Sequence, residues 1–574
     1  MDSLQDTAPL DQGGRGPALC RLVPVGFRAE AWKLLVLSGP LVLFQILHFM
    51  IHVVSSVFCG RLGKVELASV ILAVAIINVF GVSVGFGFSS ACDTLMSQSF
   101  GSPNKTHVGV LLQRGALLLL LCCFPCWALF LNTQQILLLL GQDRDVSRLT
   151  QEYVLIAIPS LPVVFLYNLL AKYLQNQGIV WPQVLSGIVG NCINGLANYV
   201  LVSALSLGIR GSAYASTIAH FVQTAFLFFY IVLRELHAAT WAGWSAQCLQ
   251  DWGPFFRLAV PSMLMLCIEW WAYEIGSFLM GLRGVLDLSV QAIIYEVATV
   301  IYMIPMGLSI SVCVRVGTSL GASDAVQAKR SAVSGVLCTV GMWLVISALL
   351  SILKNKLGYI FTNDEEAIAL VSKVLPIYII FQLFESICCI YSGVLRGAGR
   401  QAFGALVNAI AYYVLGLPLG IVLAFVVGMG IMGLWLGMLA CVLLAAAAFA
   451  AYAARMNWKL AAEEAQKRVG LPQQGTAGTA HPVGTASAAP RPGPDTAIAA
   501  SVATGSNPGI ALTLYTRAGC RLDLFRTPEA AHAIPAPSGR LSGRQLVLRR
   551  GAALGAAAAT LTAGLIMRIL THRH

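Results

Sequence analysis

The sequence predicts an all-α polytopic membrane protein: two six-helix lobes related by a pseudo-twofold axis along the membrane normal, followed by a thirteenth, C-terminal helix. Three observations carry that expectation. Of 574 residues, 57% are apolar and 11% charged, against about 25% charged in soluble globular chains, and the mean hydropathy is +0.77. Apolar runs of spanning length recur between short polar turns, and the two halves of the chain repeat each other at a fixed offset. The composition excludes a soluble enzyme, a coiled coil and a disordered scaffold. A β-barrel would alternate over ten-residue segments, and none do.

A span needs about 20 mostly apolar residues and must be helical, because lipid offers backbone polar groups no partner. Residues 1–33 lack a signal-peptide core and form an N-terminal tail, so the first span is its own targeting signal. Runs at 34–58, 68–92, 107–131, 152–174, 181–204 and 211–234 make the first lobe, 34–234. After a linker at 235–254, runs at 255–281, 288–312, 331–353, 367–394, 403–427 and 431–453 make the second, 255–454. Turns such as Gly101-Ser102-Pro103-Asn104 separate them. After Arg455 the composition changes, residues 470–510 being rich in Ala, Gly, Pro, Ser and Thr and unable to bury enough apolar surface to fold, so 455–550 reads as a disordered linker. The Ala-rich stretch 551–570, behind Arg544, Arg549 and Arg550, is the thirteenth span.

Lys and Arg near the span ends fix the orientation. With the N-terminus in the cytosol, cytoplasmic segments collect about 18 and external ones about 9. The tail and the 455–550 linker are then cytoplasmic and the C-terminus extracellular. The same bias accounts for the net charge of +12, so the expected partner is membrane lipid and not nucleic acid, around a monomeric transport unit.

The internal repeat is the most informative feature. Pro40 and Pro261 head their lobes 221 residues apart. At that shift Gly60-Arg61-Leu62-Gly63 and Leu67 fall on Gly281-Leu282-Arg283-Gly284 and Leu288, and Gly178 falls on Gly399. Ser99-Phe100-Gly101 matches Ser319-Leu320-Gly321 one residue out of step. An even number of spans per repeat inserts both halves in the same sense, with a pathway between them, which is a transporter's architecture.

An ionisable group within a span costs at least about 2.5–3.5 kcal/mol and by default marks function. Four carboxylates lie there: Glu269 and Glu274 in the seventh span, Glu296 in the eighth and Glu385 in the tenth. No Lys or Arg stands out as their neutralising partner. Shifted back by 221 they fall on His48, Val53, Ala75 and Val164, so the acids belong to one lobe only, as a site would and a structural need would not. Around them lie the aromatics Trp270, Trp271, Tyr273, Tyr295 and Tyr302, whose faces attract organic cations. Glu269 and Glu274 point about 140° apart on an ideal helix, so they are not one dyad. A carboxylate in a low-dielectric cavity holds a proton more readily, and one oxygen takes either a proton or a substrate cation, which is the basis of exchange.

Other candidates read more plainly. His48 and His52 share a face of the first span as core or pore-facing histidines. Asp93 and Arg315 lie near cytoplasmic span ends at almost equivalent repeat positions, and are expected to pair across the lobes as an inner gate. Cys122, Cys123 and Cys126 lack a His or acidic neighbour, so no metal site is expected. Gly81-Val82-Ser83-Val84-Gly85 matches the nucleophile-elbow pattern inside a span, where it reads as a small-residue stripe for close helix packing. No phosphate-binding Gly-rich loop ending in Lys-Ser/Thr appears, so ATP-driven pumping has no support. No enzymatic activity and no cofactor are expected, the proton being the coupling ion.

Several segments resemble the multidrug and toxin extrusion (MATE) family, in particular its mammalian branch: Ser55-Ser56-Val57-Phe58-Cys59-Gly60, Ser89-Ser90-Ala91-Cys92-Asp93-Thr94-Leu95, Asn176-Gln177-Gly178, Glu269-Trp270-Trp271-Ala272-Tyr273-Glu274, Gly393-Val394-Leu395-Arg396-Gly397 and Gly433-Leu434-Trp435. The resemblance covers nearly the whole chain. It implies electroneutral exchange of protons for organic cations such as tetraethylammonium, metformin, cimetidine, creatinine and thiamine, at the apical plasma membrane of kidney tubule cells. The family's functional glutamates fall on Glu269, Glu274, Glu296 and Glu385, and Cys59 and Cys126 match cysteines implicated in transport there. The expectation is therefore a proton/organic-cation antiporter working by alternating access. A lipid-linked precursor flippase should favour a cationic cavity, and a channel or uniporter would show no counter-transport.

Overall fold

The computed structural model describes residues 24, 26–362, 364–470 and 542–572. Most of the expected tail, and the linker over 471–541, lie outside them. The described residues hold no strand. The first half comprises α1 (Phe27–Gly60), α2 (Lys64–Ile77), α3 (Ser83–Gly101), α4 (His107–Leu131), α5 (Thr133–Leu139), α6 (Arg144–Ala157), α7 (Ser160–Gln175), α8 (Trp181–Asn198) and α9 (Gly208–Leu233). The second comprises α10 (Trp252–Arg283), α11 (Val285–Gly321), α12 (Ala325–Leu353), α13 (Glu365–Ala398), α14 (Gln401–Asn408), α15 (Leu417–Ile421) and α16 (Ile431–Arg455). Then come α17 (Trp458–Val469) and α18 (Gly543–His572). Wider π turns join α2 to α3 and link α14, α15 and the chain beyond into single runs. Among the described residues, twelve helical runs are long and apolar enough to cross a membrane, thirteen if the α6–α7 pair, bent by 57°, is counted as one span.

Three expectations need correction. The first span starts at Phe27, so the supposed tail is helical from there. The fourth span is not straight: Pro159, with no N–H for the helical ladder, sits at the break between α6 and α7. Residues 458–469, read as linker, form α17. The side chain of Asn457 accepts from Leu460 N at its start, and Gly470 closes it at φ 78°.

Two main cores correspond to the two halves, but the first helix of each half begins in the other's territory. Leu34 of α1 packs with Leu308, Val312 and Ala328 of the second half. Phe255 of α10, at the equivalent repeat position, packs in the first core, whereas Ala272 and Met280 further along α10 belong to the second. The repeat recurs in detail. Leu67 packs on Gly60 as Leu288 packs on Gly281. Where α3 crosses α11 the contact is made twice: a Cβ on Gly101 would strike the Thr318 carbonyl, and one on Gly321 would strike the Gln98 carbonyl. Such reciprocity is the mark of a twofold relation.

That crossing lies at the end where α1 begins and α3, α11 and α13 finish, and this end is sealed. Glu30, 3% exposed on α1, accepts from Arg315 Nε and Nη2 (2.9 and 2.7 Å), Gln327 Nε2 (2.7 Å) and Ser331 Oγ (2.6 Å) of α11 and α12. Thr94 donates to the Arg396 carbonyl at 2.5 Å and Gln98 to the Gly397 carbonyl at 2.9 Å. Helix α17 lies across the seam, with Gln466 donating to the Gly321 carbonyl and Arg468 to Gln98 Oε1 and the Ala398 carbonyl. Toward the opposite end, the last hydrogen bond between α1–α9 and α10–α16 among the described residues is Gln45→Met306.

Helix α18 lies against α4: Asn132 Nδ2 donates to the Gly564 carbonyl at 2.9 Å, and Gly564 admits Ala128 closely. Arg550 donates to the Leu249 carbonyl and stands 3.8 Å from the Trp252 ring centre.

Candidate functional site

Helix α10 supplies Glu269, Trp270, Tyr273 and Glu274, α11 supplies Tyr295, Glu296 and Tyr302, and α13 supplies Glu385. Three of the four carboxylates each accept a hydrogen bond from one phenol: Glu269 from Tyr302 at 3.3 Å, Glu274 from Tyr295 at 3.1 Å, and Glu385 from Tyr273 at 2.7 Å. Glu269 and Glu274 thus meet different tyrosines of α11, as their angular separation requires. Tyr273 ties the group together, its ring lying 6.5 Å from Tyr295, 6.4 Å from Phe381 and 6.1 Å from Tyr412. Glu385 is 6% exposed.

Two expected members stand apart. Glu296 is exposed, with no side-chain hydrogen bond or ion pair among the described residues. Trp271 is 37% exposed and joins no ring pair there, so it does not line the carboxylate cluster. Trp270 stacks on Phe86 of α3 at 6.1 Å, one of two ring pairs between α10 and α3 among the described residues, the other being Phe256 on Phe88 at 6.0 Å. Each phenol occupies one carboxylate oxygen and leaves the other free to hold a proton or meet a cation.

The first lobe has a counterpart lacking acids. His48, His52 and His220 line a cavity with Tyr153, Ser160 and Ser216, His52 lying 6.4 Å from each of the other two rings. Val164, the repeat equivalent of Glu385, lines it too, as does His48, the equivalent of Glu269. His220 escaped notice because nothing in the sequence ties α9 to α1. Cys59 and Cys126 are buried free thiols of this first core, in a different lobe from the carboxylates.

The expected Asp93–Arg315 gate does not form. Arg315 is held by Glu30, while Asp93, 3% exposed, pairs with Lys172 Nζ of α7 at 2.5 Å and accepts from Asn176 Nδ2 at 3.3 Å. Near-equivalence in the repeat put Asp93 and Arg315 at the same depth, but nearer partners on neighbouring helices satisfy each. Two cations are nevertheless buried within the spans, each with partners of its own: Lys172 pairs with Asp93 and lies 4.6 Å from the Phe86 ring centre, and Arg396 donates to Ser309 Oγ and the Ser392 carbonyl. The nucleophile-elbow match is a packing stripe: Gly81 admits Phe130 and Leu161, Gly85 admits Phe165, and the Ser83 hydroxyl donates to the Val79 carbonyl.

A family model described as MatE matches residues 40–200 and again 261–422. The chain is 68% identical to multidrug and toxin extrusion protein 2 of Homo sapiens over 610 residues, covering 100% of both chains. It is 50% identical to multidrug and toxin extrusion protein 1 of Rattus norvegicus over 581 residues, covering 99% of each. Among solved structures, the eukaryotic MATE transporter AtDTX14 superposes with a TM-score of 0.75 at 30% identity, over 77% of this chain and 100% of that one.

Proposed function

The chain belongs to the MatE family of multidrug and toxin extrusion transporters, and from that premise we propose that it exchanges external protons for cytosolic organic cations by alternating access. The observation that carries this reading is the trio of carboxylates in one lobe, each held by a single phenol and none hydrogen-bonded to a Lys or Arg among the described residues. Such groups accept a proton or a cation but not both, and aromatic faces beside them favour desolvated organic cations. Glu269 is the central exchange residue, held by Tyr302 and next in sequence to Trp270, with Glu274 and Glu385 as partners. Glu296 is the exposed outer member. Substrates would be cationic drugs and metabolites of the tetraethylammonium, metformin, cimetidine, creatinine and thiamine kind. The protein would work as a monomer, with no cofactor beyond the proton, in the apical plasma membrane of kidney tubule cells. Its N-terminus would lie in the cytosol and its C-terminus outside. In that orientation the sealed end is cytosolic.

The test is labelled tetraethylammonium uptake into proteoliposomes loaded at acidic pH. Uptake should follow the outward proton gradient and vanish in Glu269→Gln. Uptake indifferent to the gradient would mean a channel or uniporter, and none at all by correctly inserted protein would mean another class of substrate.

A further inference from the structure

The Asp93–Lys172 pair is more than the carboxylate cluster requires. It lies inside the first lobe, on the sealed side of Trp270 and Phe86, and nothing in the exchange at Glu269 uses it. Buried ion pairs add little stability over apolar packing of the same volume, and ionisable groups within a span mark function by default. The ammonium, though closely paired, keeps donors to spare. Of the three Nζ protons of Lys172, one is donated, to Asp93 Oδ2. Lys172 lines a small cavity with Gln45, Asn168, Gln175 and Ile310, at the boundary between the lobes. Two buried acceptors beside it, Gln175 Oε1 and Asn176 Oδ1, have no hydrogen-bond partner among the described residues. The ammonium already lies against the Phe86 face, and the Gln175 amide oxygen, which shares its cavity, offers it a second seat.

The bonds around the pair say what happens when the sealed end opens. Thr94→Arg396, Gln98→Gly397 and Gln401→Thr94 all run from α3 to the second lobe and must break. Asp93, Lys172 and Asn176 belong to α3 and α7 of one lobe and stay together. Parting the lobes thus bares Asp93 on the wall of the newly opened cleft, with Lys172 as the cation already on it.

We infer that Asp93 is a second organic-cation site, used from the sealed side, and that Lys172 is its resident cation, displaced along the Phe86 face toward Gln175 when substrate arrives. The flexible four-carbon stem of lysine suits such a swing. This rests on the exchange reading above and adds to it a first landing point, before the cation reaches Glu269.

The experiment measures half-saturating tetraethylammonium at each membrane face, with inside-out and right-side-out vesicles of the full chain carrying Asp93→Asn, Asp93→Glu or Lys172→Gln. Asp93→Asn should raise the value at the sealed-side face about tenfold, the scale of one charge-assisted contact, and shift the opposite face far less. Lys172→Gln should lower the sealed-side value, because Asp93 loses its competitor, and Asp93→Glu, which keeps the charge, should raise it less than Asp93→Asn does. A pair that only holds helices together predicts the same direction for both neutral variants and equal shifts at both faces, and either result overturns the inference. If Asp93→Asn fails to reach the membrane, the Lys172→Gln shift decides alone. Loss of proton-driven flux in the wild type would instead overturn the exchange reading, and is seen separately.

Discussion

Tyr273 does more than its neighbours because it bonds one carboxylate and packs against rings from three helices. Removing its hydroxyl leaves Glu385, almost wholly buried, without its one side-chain donor, a loss of about 1–3 kcal/mol. Tyr273→Phe should therefore slow cation exchange about tenfold, whereas Trp271→Ala, outside the cluster, should stay near wild type. Initial rates normalised to surface protein check both, and equal losses would place Trp271 back in the cavity. The acids were legible in the sequence because charge is costly in lipid, and their absence from the other repeat marked them as a site. Their pairing with particular tyrosines was not, since helical geometry gives directions on one helix but not which neighbour each direction meets. Lys172 was overlooked for a related reason: near the end of an apolar run, a lysine reads as a snorkelling surface residue. Only the fold brings α3 beside α7, so that it meets Asp93, 79 residues earlier in the chain.

At the scale of elements, α1 is a tether as well as a span. Its first turns lie in the second lobe, and Glu30 fastens them with four hydrogen bonds from α11 and α12. Breaking a buried ion pair costs about 3–5 kcal/mol. Glu30→Gln should lower the thermal midpoint in detergent and hasten labelling of a cysteine placed at Ser99, which is buried at the seam. Unchanged labelling would mean that the tether does not hold the end shut. The sequence located the spans because apolar run length is set by bilayer thickness, but it underestimated both ends of the first lobe's partner contacts. Glu30 fell in the supposed tail because a charged first turn looks like the membrane boundary. Helix α17 was hidden by the composition that follows it, although Asn457 and Gly470 are the cap residues that should have betrayed it. The break at Pro159 had the same kind of signal, a proline inside an apolar run, and the even hydrophobicity around it masked the bend.

For the whole molecule, the decisive contact is the doubled crossing of α3 and α11. The repeat was readable from spaced prolines and glycines, and the model match over 40–200 and 261–422 begins 221 residues apart (261 against 40). That the two halves touch through equivalent residues was not readable, because a repeat fixes what is similar and not where the copies meet. Gly101 and Gly321 leave no room for a Cβ. Overpacking costs about 1–3 kcal/mol per site, so Gly101→Val and Gly321→Val should each cut exchange about tenfold, by matching amounts. The double variant should be little worse than either, since one collision already keeps the helices apart. Additive losses, measured as uptake per surface molecule, would mean that the two contacts open separately. The doubling has a consequence for how the cycle is timed. Two contacts related by a twofold axis share one rigid pair of helices, so neither can let go while the other holds. The end is then shut or released as a unit, without a half-open leak through which protons could slip uncoupled from cargo.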